Sequence, residues 1–481
     1  MEGPVEATSR RAFLALGVGA VVVTGAVRCA QPEPGLPLGP VDPASIPTVP
    51  AHPADSLCES YAVNTKLFYA SQVYAHTDAV IDLLHELGVR TIRERVTTGT
   101  SPGALAQRYA MPRLAELGIR WHATVGELDD WSRAEVATRE AFALFLDFYA
   151  PAVDGSLASL VHSFGGCNEV DGSVVDGAVD PQWAAHARLM QAELWRQATS
   201  SPLTDSIPVA GPSTRSDVTA ARAAALGDLS AVSDWGNAHL YNRGSSPTRG
   251  IDEHLAVLER CFPDANRWIF TETGYNNAPQ DDSGRTVSED AAATYAIRGI
   301  CDFFRRDSIY GRFELLDDPD PIDFTTQNSI NTTAERQAHF GLVAMTEESV
   351  TAATPDTWRR KPEFFATQRF LRLMSDKGPS FRTDPLNLLV TGGGADLQQA
   401  LVQKRDGRHY LLLWRDVEVA TSFPEARPLQ VAPATLTVHL RSARPAAVYS
   451  PRFSSAPVAT HPRRDTVTLE VGGDLMVVEI G

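Results

Sequence analysis

The chain has 481 residues with 59 acidic and 43 basic side chains, a formal net charge of −16, and 43% hydrophobic content. That length accommodates one large domain and a small one around a sizeable core. The acidic balance argues against nucleic acid and anionic membrane surfaces as partners and fits neutral or cationic ligands.

Residues 1–30 read as an export signal. Ser9-Arg10-Arg11-Ala12-Phe13-Leu14 opens an apolar run over 15–27 that is rich in Gly and Ala. Paired arginines ahead of such a run resemble a bacterial twin-arginine signal, which implies a secreted protein. The run is too short and too rich in small residues for a membrane-spanning helix. No membrane-spanning segment is therefore expected once the signal is removed. Thr24-Gly25-Ala26 suits a signal peptidase. Cys29 offers a lipid anchor instead, but Arg28 is a poor match to the residue expected before a lipidated cysteine, so secretion is the favoured reading. Residues 31–56 form a proline-rich linker. Eight prolines from Pro32 to Pro53 exclude a helix or a central strand and read as an extended tether. The five cysteines include no CxxC pair, so they build neither a zinc site nor a disulfide framework and read mostly as buried thiols.

From 57 to 378 short apolar runs alternate with longer helical patterns. Strands are predicted at 61–67, 89–95, 120–125, 157–164, 208–211, 235–241, 267–272 and 311–316. Helices fall between them, among others at 79–87, 133–149, 181–197 with Asp180 as N-cap and Pro181 in the first turn, and 287–304 with a Ser288-Glu289 start. Eight βα units over about 320 residues predict a (β/α)8 TIM barrel, an α/β fold. Beyond 378 the helical patterns stop. Seven short strands separated by Gly-, Pro- and Asp-containing turns predict a small C-terminal antiparallel β-sandwich over 379–481.

Two carboxylates close strands of this barrel. Glu169 follows Gly166-Cys167-Asn168 after the fourth strand, and Glu272 ends the seventh in Trp268-Ile269-Phe270-Thr271-Glu272. Between them the sixth strand carries His239-Leu240-Tyr241. A barrel enzyme builds its site at the carboxyl ends of its strands. Hydrolysis of a glycosidic bond needs one carboxyl group to protonate the leaving oxygen and another to attack the anomeric carbon or activate water. An Asn-Glu pair alone is an ordinary surface feature; the ordered set is the signal.

That set, Asn168-Glu169, His239-Leu240-Tyr241 and Glu272, resembles the clan A glycoside hydrolases, a retaining (β/α)8 superfamily. Gly165-Gly166-Cys167-Asn168-Glu169-Val170-Asp171 and Phe313-Glu314-Leu315-Leu316-Asp317 resemble most its β-xylosidase and α-L-iduronidase group. The resemblance covers the barrel and implies roles. Glu169 is the acid/base and Glu272 the nucleophile. Asn168 bonds the sugar 2-hydroxyl, and Tyr241 orients Glu272. His239 supports the acid/base or a sugar hydroxyl, and Arg93 holds Glu272 ionised, since a nearby cation lowers a carboxyl pKa. The chain departs from the clan in lacking a tryptophan at the end of strand 8 and in placing Cys167 before Asn168.

Trp121, Asn276 and Glu314 complete the expected substrate-binding set. Each has a plainer alternative: Trp121 as core, Asn276 as turn chemistry, Glu314 as a carboxylate turned away from the sugar. No cofactor or metal is expected, because the acidic run 317–323 has no EF-hand spacing and reads as a solvated loop. The expected activity is that of an exported retaining glycoside hydrolase acting on an oligo- or polysaccharide. Two alternatives use the same residues: a transglycosylase, and a non-catalytic glycan-binding barrel.

Overall fold

The computed structural model describes residues 41–481 except 70–71, 127–133, 173, 176–177, 279–284, 318–337, 346–353, 422–424 and 426. The signal, Cys29 and most of the acidic run lie outside the described residues.

Eight strands form a nearly closed parallel barrel: β1 (Tyr61–Asn64), β2 (Thr91–Arg95), β3 (Arg120–Thr124), β4 (Val161–Gly165), β5 (Val209–Ala210), β6 (Gly236–Leu240), β7 (Trp268–Thr273) and β8 (Ser308–Arg312). Neighbours pair in chain order, and β8 returns to β1 through Tyr310–Tyr61, Gly311–Ala62 and Arg312–Val63. Two-residue β5 makes the weakest seam. It meets β6 through one bridge, Ala210–Trp235, and the Gly211 N–H bonded to the Trp235 carbonyl at 2.9 Å.

Among the described residues one α-helix follows each strand: α1 (Thr77–Leu87), α2 (Pro102–Glu116), α3 (Ala134–Tyr149), α4 (Trp183–Ser200), α5 (Ala220–Leu226), α6 (Ile251–Leu258), α7 (Glu289–Phe304) and α8 (Pro362–Met374). Local chemistry starts several of them. The Ser101 hydroxyl accepts from Ala104 N ahead of Pro102, and Ser288 accepts from Ala291 N. Helix α4 starts two residues later than predicted, at Trp183. Asp180 still anchors that turn by accepting the Gln182 N–H at 2.8 Å. Period-2 alternation sorts the barrel side chains. Tyr61, Val63, Ile92 and Trp121 join the large core beneath the helices, whereas Ala62, Ala210, Ile269 and Ile309 form a separate small cluster with Trp235.

The C-terminal region is one curled, mostly antiparallel sheet. Its strands are β9 (Leu386–Gly392), β10 (Leu397–Gln403), β11 (His409–Arg415), β12 (Ala434–Tyr449), β13 (Ala459–Val471) and β14 (Met476–Ile480). Strand β12 runs unbroken from Ala434 to Tyr449, longer than any of the short strands expected there. Its first half pairs with β9 and its second with β14, so a single chain carries the curl that a break would have interrupted. Strand β11 shows both faces. Leu411 and Leu413 enter the sheet's own core, while Tyr410, Leu412 and Trp414 enter the barrel's. The indole N–H of Trp414 reaches the buried Asp302 carboxylate on α7 at 3.1 Å, fixing the sheet against the barrel.

The proline-rich segment is not a free tether along its whole length. Thr48–Val49 pairs antiparallel with β9 and His52–Pro53 pairs parallel with β10, at the two ends of the sheet's strand order. Proline removes a ladder donor and is confined to edges, which is where these strands sit.

Candidate active site

The carboxyl ends of the barrel strands surround a cavity of about 630 Å3. Arg93 on β2 is its central cation. It donates to Glu272 Oε1 at 2.8 Å, to Asn64 Oδ1 at 3.0 Å and to Asn168 Oδ1 at 2.5 Å. Asn64 is itself held by the carbonyls of Thr271 and Arg312, at 2.8 and 3.2 Å. Tyr241 donates its hydroxyl to Glu272 Oε2 at 2.8 Å. Burial by itself would raise the Glu272 pKa, but His239, Arg93 and Tyr241 together outweigh it and hold the carboxyl below the usual range. Burial, with the Glu272 charge beside it, pushes the Tyr241 phenol well above its ordinary value, so it stays a donor.

Glu169 sits in a different setting. Its side chain is 38% exposed against 11% for Glu272, so it is open to leaving group and water. Its backbone adopts φ +42°, an uncommon left-handed conformation for a residue with a Cβ. Ser213, just beyond β5, fixes that turn. The Ser213 hydroxyl accepts the Glu169 N–H at 3.0 Å and donates to Asn168 Oδ1 at 3.4 Å. Asn168 Oδ1 is thus occupied by Arg93 and Ser213, which leaves its amide NH2 to point at a ligand.

Hydrogen bonds set the proton on His239. Asn237 gives its NH2 to the Gly211 carbonyl, so its Oδ1 accepts from the Thr271 hydroxyl at 2.8 Å. The Thr271 oxygen then accepts from His239 Nε2 at 3.1 Å. Nε2 carries that proton, and Nδ1 faces Glu169 Oε1 at 3.1 Å and Glu272 Oε2 at 3.5 Å. A bare lone pair between two carboxylate oxygens would be repelled by both. Nδ1 is thus placed to share a proton with Glu169, beside a Glu272 whose carboxyl is held below the usual range.

Of the sequence-predicted residues, Glu169, Glu272, Asn168, Tyr241 and Arg93 line the cavity together, with His239 buried beneath them. Asn276 also lines it, but its Oδ1 accepts from Thr286 Oγ1 at 2.6 Å, which holds the loop after β7. Two residues are elsewhere. Trp121 packs edge-on against Phe145 and Tyr149 of α3 and donates to the Glu94 carbonyl at 2.9 Å. It alternates with inward-pointing His122, which pairs in register with Arg93. Glu314 is fully buried and paired with Lys66 at 3.1 Å, because β8 ends at Arg312, earlier than expected.

Three contributions escaped sequence reasoning. Phe313 lines the cavity just past β8, with Tyr241 and Phe340 edge-on to it, so the cavity has an aromatic wall although no tryptophan ends strand 8. Its position immediately after the strand was the available signal. Ser213 had none beyond its place after β5. Lys66 lies over the Phe313 ring at 5.2 Å. Glycine is required at 274: φ is +133°, and a Cβ there would approach Arg312 Nη1 to 2.6 Å. Asp317, the first residue of the acidic run, is buried and bonded to Lys361 at 2.8 Å. The groups nearest to a metal-ligand arrangement among the described residues are Glu169, His239 and Glu272 themselves.

No protein-family model matches the sequence, and no curated protein matches it. Solved structures do resemble it. A glucosidase from Croceicoccus marinus aligns at 12% identity and TM-score 0.56, over 83% of this chain and 91% of that one. A GH39 enzyme from Xanthomonas axonopodis pv. citri aligns at 14% and 0.54, over 90% and 95%. A monomeric beta-xylosidase from Caulobacter crescentus aligns at 15% and 0.54, over 90% and 97%. At such identities the likeness shows the fold, a (β/α)8 barrel followed by a C-terminal β-sheet region.

Proposed function

We propose that the protein is a glycoside hydrolase that retains anomeric configuration, with Glu272 as nucleophile and Glu169 as acid/base. One observation carries this reading: carboxylate oxygens of Glu169 and Glu272 lie within 4.8 Å of one another. That spacing accords with the roughly 5–5.5 Å of retaining pairs rather than the about 6.5–9.5 Å of inverting ones.

Glu272 Oε1 and Oε2 are held by Arg93 and Tyr241, so the carboxylate is ionised and aimed when a sugar enters. It attacks the anomeric carbon as the proton on the Glu169–His239 pair passes to the leaving oxygen. A water then gives its proton back to Glu169 and its hydroxyl to the anomeric carbon, releasing Glu272. The free amide of Asn168 suits the sugar 2-hydroxyl, a bond that strengthens toward the transition state. The aromatic wall of Phe313 and Phe340 suits a sugar face. We place the enzyme outside the cytoplasm on the strength of the twin-arginine-like leader, and read the curled C-terminal sheet as a small sandwich bracing the barrel.

Sugar release from a panel of aryl glycosides and polysaccharides, with Glu272→Gln beside the wild type, tests the reading. Release with retained configuration and its loss in the variant is expected. Activity surviving the substitution removes Glu272 as nucleophile.

A further inference from the structure

The cavity is charged against the trend of the chain. The whole sequence has 59 acidic and 43 basic residues. The described residues lining the cavity include six cations and four carboxylates. One of those carboxylates, Glu94, is turned into the loop after β1, where it accepts from Leu67 N and Phe68 N, each at 3.0 Å, and from Gln107. A pocket for a neutral sugar needs one cation beside the nucleophile, and Arg93 already fills that place.

Most of the others are committed. Lys66 is paired with Glu314, Arg215 lies 3.6 Å from Asp217, and Arg95 lies over the Phe68 ring at 4.3 Å. Arg243 and Arg285 are different: neither forms an ion pair among the described residues, and both are exposed on the cavity wall. They come from the loops after β6 and β7, on the side of the cleft that holds Tyr241 and Glu272.

Hydrogen bonds tie the backbone beside each of these arginines. Asn242 ties the first loop by donating to the carbonyls of Ser246, Pro247 and Arg249, at 3.1, 3.2 and 2.6 Å. Arg243 stands there at φ +51°, a conformation that glycine or asparagine adopts at lower cost. In the second, the Arg285 carbonyl accepts from Asn276 Nδ2 at 3.5 Å and Thr286 bonds Asn276 Oδ1, which pins the start of that segment to the wall.

We infer that the cleft takes an anionic carbohydrate, whose carboxylate or sulfate group is received by Arg243 and Arg285. A guanidinium matches the planar oxygens of a carboxylate, or two oxygens of a sulfate, with paired N–H donors. The acidic remainder of the protein does not oppose this, since charges more than about 10 Å away are screened at ordinary salt. The expectation from bulk charge, of neutral or cationic ligands, is thereby reversed at the site. The inference deepens the glycosidase reading and rests on it for the sugar, while the charge preference is measurable without turnover.

The test is isothermal titration of the full chain with matched sugars at low salt: glucose, glucuronate and glucose 6-sulfate, and the corresponding galactose set. At least one acidic sugar is expected to bind about tenfold or more tightly than its neutral partner, as charge-assisted hydrogen bonds provide. Its advantage should shrink in 0.5 M NaCl and vanish in an Arg243→Gln, Arg285→Gln double variant that unfolds like the wild type. The carboxylate and sulfate arms tell the two sources apart. Absence of any charge-dependent binding across the set, or a preference that survives the double variant, overturns the inference. Hydrolysis of neutral aryl glycosides without an acidic preference would leave the enzyme reading standing and this one fallen. Charge-selective binding without hydrolysis of any substrate would do the reverse.

Discussion

The Ser213 hydroxyl receives the backbone N–H of Glu169 at 3.0 Å, so the proposed acid/base is aimed from its main chain by a residue on the next strand's loop. Replacing Ser213 with Ala leaves that N–H without its partner and loosens a left-handed turn. We expect kcat to fall about tenfold, a typical worth of one such bond, with KM and melting temperature little changed. Ser213→Thr, which keeps the hydroxyl, should restore most of the rate. Steady-state kinetics on the three proteins decides it; an equal loss in the Thr variant would point to steric damage.

Tyr241 and Glu272 give a pH prediction. On the proposed reading Glu272 is the nucleophile and must be ionised to attack, so activity is expected above its folded pKa and lost as pH falls through it. Tyr241 is one of the groups that depress that pKa. Tyr241→Phe should therefore move the acidic limb of kcat/KM to higher pH, with a loss of about ten- to a hundredfold in rate at neutral pH, since hydrogen bonds to charged groups contribute about 1.5–3 kcal/mol. The same sign holds for folding. A carboxyl held below its unfolded value contributes stability above the unfolded pKa and loses it as pH falls through the folded one. Wild type should thus lose more stability than the variant on acidification. A pH–rate profile with an unmoved acidic limb would refute the assignment.

Trp121 tests the boundary between core and cleft. It is 1% exposed and bonded to the Glu94 carbonyl. Trp121→Phe should lower stability by about 1–3 kcal/mol in a denaturant titration while KM stays unchanged. A raised KM with intact stability would return it to the binding surface.

Arg312 and Glu363 form a bidentate pair beneath Gly274, with side chains 0% and 1% exposed. Burial disfavours the charged guanidinium, but the Glu363 charge overrides this and the Arg312 pKa is raised, so the guanidinium stays charged. Arg312→Leu would strand a buried carboxylate, and we expect a loss of about 3–5 kcal/mol, read as a lowered melting temperature. The Arg312→Leu, Glu363→Leu pair should recover part of it.

The sequence made the strand ends legible because each ends an apolar run in a functional group: Arg93 on β2, His239 on β6, Glu272 on β7. Period 2 also held the answer for Trp121, since Arg93 and the facing His122 share a level and their neighbours must point outward. Glu314 was misplaced for a register reason. Ser308–Arg312 is only half-recognisable as a strand, with Gly311 and two polar residues among five, and the apolar Leu315-Leu316 drew the reading past its end. Ser213, Arg243 and Arg285 were invisible because each acts from a loop, and only the barrel brings those loops around one cavity.

The sheet's strand order begins and ends with residues from the far side of the barrel in sequence. Thr48 and Asn387, bonded side chain to side chain at 2.6 Å, are separated by 339 positions. During synthesis the two short strands over 48–53 therefore wait, unpaired, until nearly the whole barrel has been made, and the C-terminal sheet acquires its last two neighbours from the oldest part of the chain. A recombinant protein started at residue 54, where a proline-rich stretch invites trimming, would present β9 and β10 with bare backbone donors and acceptors. Such edges recruit other chains, so the cost of that shortcut would be seen as aggregation rather than as lost catalysis.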